Sequence, residues 1–451
     1  MVWATLHKHQ IEVFVITFMC VLSLHAARES WYMVKHEVHE SLGFSSTFLG
    51  TIDTVFLLFY SVGYYSSGIL GDRFVVTRMV GYGMLCAAVL YIIICVLCMM
   101  RVVSHPVYLF LWALQGPSQG TDLTGCVAIM ANWFPPEIRG RVMGLWGANQ
   151  SVGNIVGEYM AAVIYDEAHL SWEWVIAAPA VLVAIVAVCL LVFVYDHPKA
   201  REAAEVTPKS APLIARDVSA HTETVAEYEQ EDHKPHVGFW ESWRLPGVAL
   251  CAFSYGGVKL LNYGMRMWMP YYLIANFHMH MGHLALLLST YNIGGIAGSV
   301  LGGWFSDVYN RRMATVGGML ILSIPLMILF RMVTPATEFL FYVFIPLVGV
   351  MIGGVANLMS CAVSADLAQQ QGAHAHQDAK TTVIGIINGT GSFGAAFGQV
   401  VIGFLQNYSW NYVFAFLVGK CHLAVALFSF SMLVPLIRRE NEKSKVAEID
   451  S

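Results

Sequence analysis

Two basic residues in apolar surroundings carry the chemistry this sequence can do. Arg28 ends a long apolar segment, Ile11 to Ala27, and Lys259 lies inside another, Leu250 to Leu273. A cation at hydrocarbon depth costs at least about 2.5–3.5 kcal/mol unless something pairs with it, so each marks a functional site by default. An arginine presents a planar fork that matches a phosphoryl group, and a lysine adds a point charge. One such cation in each half of the chain points to a pocket that holds an anion. Arg266 stands seven residues beyond Lys259, two turns along the same helix face and about 10 Å away. Asn262 and Tyr263 flank it, and Asn149, Gln150, Asn388 and Thr390 offer hydrogen bonds from other apolar segments. The alternative is that Arg28 and Lys259 are locked in internal ion pairs with Asp53, Asp122, Glu158 or Asp366. Buried ion pairs are a poor source of stability, which favours the functional reading.

The elements that must position these groups are membrane helices. The 451 residues are 57% hydrophobic and 12% charged, where soluble domains carry about 25% charged residues. The net charge of −5 gives no sign of a nucleic-acid partner. A span needs about 20 apolar residues. Twelve stretches qualify: 11–30, 47–70, 79–100, 107–132, 142–165, 173–195, 246–275, 283–306, 313–333, 339–363, 381–404 and 411–436. The first runs straight into Arg28 without a small-residue cleavage site, the pattern of a span rather than a cleaved leader. The expectation is an all-α multi-pass membrane protein of twelve transmembrane helices. It divides into an N-terminal six-helix half (1–195), a polar cytoplasmic linker (196–245), a C-terminal half (246–437) and a cytoplasmic tail (438–451). Lys and Arg crowd the linker, the tail and alternate loops, while the opposite loops hold little beyond Lys35 and Arg101; both termini are therefore expected in the cytoplasm.

The two halves repeat one another. Gly63, Gly68 and Asp72 in span two match Gly298, Gly303 and Asp307 in span eight at a constant offset, and both segments end in GxxxD followed by arginine. Gly144, Ser151, Gly153 and Gly157 in span five match Gly385, Ser392, Gly394 and Gly398 in span eleven. Small residues along one face let helices approach closely. Two pseudo-repeats with a binding site between them near the bilayer midplane are the arrangement of the major facilitator fold. Asp72, Arg73, Asp307 and Arg311 would then latch a cytoplasmic gate, or else act only as helix-end caps. All nine cysteines lie in apolar stretches and read as packing; His374 and His376 read as a solvated loop rather than a metal site. No phosphate-binding loop, catalytic triad or metal cluster is present, so no enzyme activity, cofactor or metal is expected and transport would be secondary.

Several stretches carry a family resemblance: LHAAR (24–28), GTIDTVFLLFYSVGYYSSGILGDR (50–73), NWF, RG, GLW and SVGNIVG within 132–157, LPGV and VKLLNYGMRMWMPYYL within 245–273, GGVANLMSCAVSADL (353–367) and GTGSFGAAFGQ (389–399). The chain resembles the organophosphate:phosphate antiporter branch of the major facilitator superfamily, and within it the sugar-phosphate exchangers of solute carrier family 37. The resemblance implies exchange of phosphorylated sugars, such as glucose 6-phosphate, for inorganic phosphate. It also implies that Arg28 and Lys259 hold the phosphoryl group, and that the membrane is that of the endoplasmic reticulum or, alternatively, the lysosome. The chain departs from the family pattern at Glu29, where many members have lysine, at Asn149 in place of histidine, at Asp122-Leu123-Thr124 in place of Gly-Trp-Pro, and at Arg266 in place of an aromatic residue. A carboxylate near a phosphate repels it unless paired or protonated. Two rivals therefore stand beside the exchanger. One is a carrier of another organic anion or zwitterion, proton-coupled through Glu29 or Asp122. The other is a transporter-like subunit that stabilises a membrane partner.

Overall fold

The computed structural model describes residues 8–71, 75–206, 239–245, 247–309, 312–360 and 379–422. Among them every regular element is a helix. Span one is Lys8–Met33, followed by a short turned-in helix, Lys35–Leu42; span two is Ser46–Gly71 and span three Val76–Met99. Span four is broken at Thr121 into His105–Gly120 and Asp122–Trp133. Pro117 lies in the first piece, where a missing N–H and a ring clash bend the helix. Span five is likewise divided, Pro136–Trp146 and Asn149–Ala162, and runs into a π-turn at Val163–Glu167. Span six is Trp174–Phe193, span seven Val248–Phe277, span eight Met281–Val308 and span nine Arg312–Arg331. Span ten is interrupted by a π-turn, Gly349–Gly353, between Phe341–Val348 and Gly354–Leu358. Span eleven is Ala379–Gln406, and span twelve begins at Trp410–Ala415. Between the sixth and seventh spans the short helices Pro198–Val206 and Phe239–Arg244 are described, and Arg201 ties the first of these to Glu12 of span one at 2.9 Å.

Six of these helices, in spans one, two, three, six, eight and ten, are long and apolar enough to cross a membrane on length and composition alone. Spans four and five are divided by their breaks. Spans seven and eleven have the length, 30 and 28 residues, but carry Lys259, Asn262 and Arg266 in one and Asn388, Thr390 and Gln399 in the other. Polar and charged groups inside a span mark a helix that faces the bundle interior rather than lipid.

The internal repeat is a repeat of close helix contacts. A Cβ at Gly63 would lie 2.9 Å from Gly120 Cα of span four, and one at Gly298 would lie 2.1 Å from the Val350 carbonyl of span ten. In the same way Gly153 abuts Leu22 of span one and Gly394 abuts Gly256 of span seven. The matched glycines thus serve matched pairs of spans, two with four and eight with ten, five with one and eleven with seven. Superposing these contacts sets His25 of span one opposite Lys259 of span seven in the repeat.

The halves meet along three seams. Span two runs against span eleven, with Thr54 donating to the Ala396 carbonyl at 2.8 Å and Tyr65 bonded to Thr390 at 2.9 Å. Span five meets span eight, where Asn154 donates to Asn292 at 2.9 Å. Span one meets span seven through Glu29 and Arg266. At the end of the bundle that carries the Lys35–Leu42 helix, the seams are sealed. Ser46 bonds Tyr271 at 3.3 Å, Asn407 donates to Thr47 at 2.7 Å and the Gly282 amide donates to Asp166 at 2.6 Å.

Candidate substrate pocket between the halves

Arg28 lies in the last two turns of span one, 5% exposed, where the helix is buried on every side. Its Nη1 donates to the Tyr60 hydroxyl at 3.3 Å, and the guanidinium carbon stands 4.9 Å from the centre of that ring. Tyr60 in turn bonds Tyr64, one helical turn on, at 3.0 Å. Nε and Nη2 of Arg28 have no hydrogen-bond partner among the described residues. Asp122 lies within electrostatic reach of Arg28 at the break in span four. One of its oxygens accepts the Leu123 amide; the other has no hydrogen-bond partner among the described residues.

Lys259 is buried in the middle of span seven. It donates to Ser392 Oγ at 2.9 Å and to the Asn388 carbonyl at 3.4 Å, both in span eleven. The rings of Tyr64, Tyr255 and Tyr263 surround its ammonium with centres 5.3–5.4 Å away. Tyr64 comes from the other half, so two tyrosines stand between the cations: Arg28 donates to the Tyr60 hydroxyl, Tyr60 bonds Tyr64, and the Tyr64 ring faces Lys259. Neither cation has a carboxylate partner at ion-pair distance among the described residues. A small cavity opens beside Arg28, lined by His25, Arg28, Tyr32, Phe56, Tyr263, Arg266 and Met267. Lys259 stands one layer back, beside Tyr263.

The remaining sequence candidates divide. Asn149 starts the second piece of span five, fully buried, with neither side-chain atom hydrogen-bonded among the described residues. Asn262 accepts from Tyr291 of span eight at 2.7 Å, and Asn388 accepts from Ser360 at 3.1 Å. Arg266 crosses to the other half and donates to Glu29 at 2.5 Å. Asp72, Arg73, Asp366 and Arg311 lie outside the described residues, as do His374, His376 and the side chain of Asp307.

Two expectations are corrected. Asp53 is not available to Arg28 or Lys259, because Lys35 takes it in a buried pair at 2.5 Å. Lys35 itself is no loop residue: it is fully buried, donates also to the Met267 carbonyl of span seven at 3.1 Å, and sits 4.4 Å from the centre of the Trp268 ring. The physical reason is the break at Val34, which turns the Lys35–Leu42 helix back into the bundle.

Sequence reasoning did not single out the polar layer between spans five and eight. Glu158 accepts from Ser289 at 2.9 Å and from Asn292 at 2.8 Å, and His25 Nδ1 lies 3.1 Å from Asn154 Oδ1. The repeat was the available signal, since the small residues that mark span five flank Asn154 and Glu158. Among the described residues no group of three metal-ligating side chains occurs.

A sequence profile of the Major Facilitator Superfamily matches residues 14–375 and 266–449. Sugar phosphate exchanger 3 of Gallus gallus is 30% identical over 473 residues, covering 96% of this chain and 93% of that protein. Sugar phosphate exchanger 3 of Mus musculus is 31% identical over 468 residues, with the same two coverages, 96% and 93%. Among solved structures, a bacterial homologue of the human lysosomal transporter Spinster, inward-facing and unoccupied, is similar with a TM-score of 0.65. It is 14% identical and covers 96% of this chain and 94% of its own. The nucleoside transporter NupG is similar at 0.66, 13% identical, covering 95% and 99%. At such identities these structures speak for the fold alone.

Proposed function

The chain belongs to the major facilitator superfamily, and from that premise we propose that this multi-pass transporter exchanges a phosphorylated sugar or related organic anion for inorganic phosphate. The observation that carries the reading is Arg28: a buried guanidinium with two N–H directions unpartnered beside a cavity. A phosphoryl oxygen pair fits that fork, and Lys259 supplies the second charge from the opposite half. An anion held by both halves pulls them together, so binding and closure are the same event, and reopening on the other side completes alternating access. Arg266, Tyr263, Asn262, Asn149 and Asn388 complete the proposed substrate shell. Asp72, Arg73, Asp307 and Arg311 are the proposed gate of the cytoplasmic side; the end that carries the Lys35–Leu42 helix then faces the lumen, of the endoplasmic reticulum in preference to the lysosome.

One observation favours a second reading. The free oxygen of Asp122 beside Arg28 would suit a substrate that carries its own amine, a zwitterion rather than a sugar phosphate. Counterflow in proteoliposomes loaded with inorganic phosphate separates the two. The first reading expects labelled phosphate and glucose 6-phosphate to exchange, and Arg28→Ala to abolish both. Phosphate exchange that persists in Arg28→Ala would remove the pocket from the proposal. Failure of the wild-type protein to exchange either anion, with uptake of an aminophosphonate instead, would favour the second.

A further inference from the structure

The pocket contains its own counter-anion. Arg266 is paired across the halves by Glu29, Asp122 lies within electrostatic reach of Arg28, and Glu158 lies in the adjoining seam between spans five and eight. One of these carboxylates makes the bridge that a substrate would make: Glu29 of span one, 2% exposed, accepts directly from Arg266 of span seven, which lines the cavity. On the seam between spans five and eight, Glu158 accepts from Ser289 and Asn292, a bridge of hydrogen bonds from neutral donors.

This bears on coupling. A carrier passes from one face to the other through a state in which its pocket is shut off from water. When the empty pocket holds an excess of cations, shutting it strands uncompensated charge at low dielectric, and a bound anion is needed to relieve that cost. Such a carrier crosses only when loaded, and transport is strict exchange. Here the protein supplies the anion itself. Glu29 neutralises Arg266 across the seam and Asp122 lies within electrostatic reach of Arg28, so the unloaded carrier strands less charge when it closes and reopens.

We infer that the chain also carries net flux: it releases its anion on one side and returns empty, without requiring an anion on the far side. This rests on the exchange reading above, and makes exchange one mode of a carrier that is not obligatorily coupled. Loading then requires the substrate to displace Glu29 from Arg266, which makes Glu29 the residue that sets the ratio between the two modes.

The test is efflux of labelled phosphate from proteoliposomes, with potassium and valinomycin clamping the membrane potential. Efflux is measured into buffer without anionic substrate and into buffer containing unlabelled phosphate or glucose 6-phosphate. The wild-type protein is expected to show net efflux within about tenfold of exchange, and Glu29→Gln to lower the ratio of net efflux to exchange by at least tenfold. The swap Glu29→Arg with Arg266→Glu rebuilds the bridge with its polarity reversed and is expected to restore the ratio, a result that a merely misfolded Glu29→Gln would not give. Wild-type exchange with no net efflux overturns the inference and leaves the exchange reading intact. Net efflux whose ratio is unchanged in Glu29→Gln overturns the role of the ion pair. No flux in either arm overturns the exchange reading, on which the inference stands.

Discussion

Arg28 and Lys35 leave the same stretch of chain seven residues apart, both buried, both cationic, and they are treated in opposite ways. Lys35 is saturated: a carboxylate, a backbone carbonyl from the other half and two aromatic faces occupy it. Arg28 has one weakly placed hydroxyl and one ring face, and among the described residues keeps two donor nitrogens open beside a cavity. A buried charge that serves only the fold must have its partners built in, because nothing else will compensate it. A charge left open at similar burial is compensated by something that comes and goes. The contrast fits Lys35 as a structural cation and Arg28 as the binding cation of the proposed function, without appeal to sequence position.

The largest effect should come from breaking the saturated pair. Lys35→Ala leaves Asp53 charged, buried and alone, a change that costs about 3–5 kcal/mol. It is expected to reduce the yield of monodisperse protein in detergent and to lower its Tm by several degrees. The double change Lys35→Met with Asp53→Leu should recover most of that stability, since an apolar pair of similar volume is a fair substitute for a buried ion pair. A Lys35→Ala protein as stable as wild type would dissolve the contrast from this side.

Arg28→Ala is the opposite case. Stability should hold or rise slightly, because a poorly compensated buried charge is removed. Exchange of phosphate should fall by at least about 100-fold, equivalent to roughly 2.7 kcal/mol of lost binding and closure. Tm and counterflow on the same preparation check both halves of the expectation; a variant that loses transport by losing its fold would place Arg28 with Lys35.

Next in size is the seam between spans five and eight. Asn292→Ala removes the donor to Glu158 and the acceptor of Asn154 together. A hydrogen bond to a charged group contributes about 1.5–3 kcal/mol, so the sealed end should open more often. Cysteine-accessibility labelling from the side of the Lys35–Leu42 helix should rise several-fold while the protein stays folded. Unchanged labelling would mean that the remaining contacts between the halves carry closure without this one.

How much of this could be read beforehand follows from the physics of each signal. Apolar runs, charge asymmetry and paired glycines are local, and they disclosed the helices and the repeat. The glycines were legible because a side chain would not fit: a Cβ at Gly298 would stand 2.1 Å from the Val350 carbonyl. Lys35 was misread because loop counting sees a cation between two apolar runs and cannot see a helix turned inward. Arg266 and Glu29 each stood out as departures from a family pattern, yet their pairing joins residues 237 positions apart and belongs to tertiary structure. Asp122 was legible as a carboxylate near Arg28, while its uncovered oxygen depends on the break in span four and was not.

The smallest expected effect sharpens the contrast most. Tyr60→Phe keeps the ring against the Arg28 guanidinium and removes the single hydroxyl that Arg28 donates to, which also bonds Tyr64. A neutral hydrogen bond contributes about 1 kcal/mol net, so KM for phosphate should shift by about fivefold with little change in kcat. Because Arg28 would then have no hydrogen-bond partner of its own among the described residues, its remaining orientation would come from packing and from the bound anion. An effect as large as that of Arg28→Ala would mean that the tyrosine hydroxyl, and not the open fork of the guanidinium, makes the decisive contact. Lys35 and Arg28 would then differ in the number of their partners and no longer in kind.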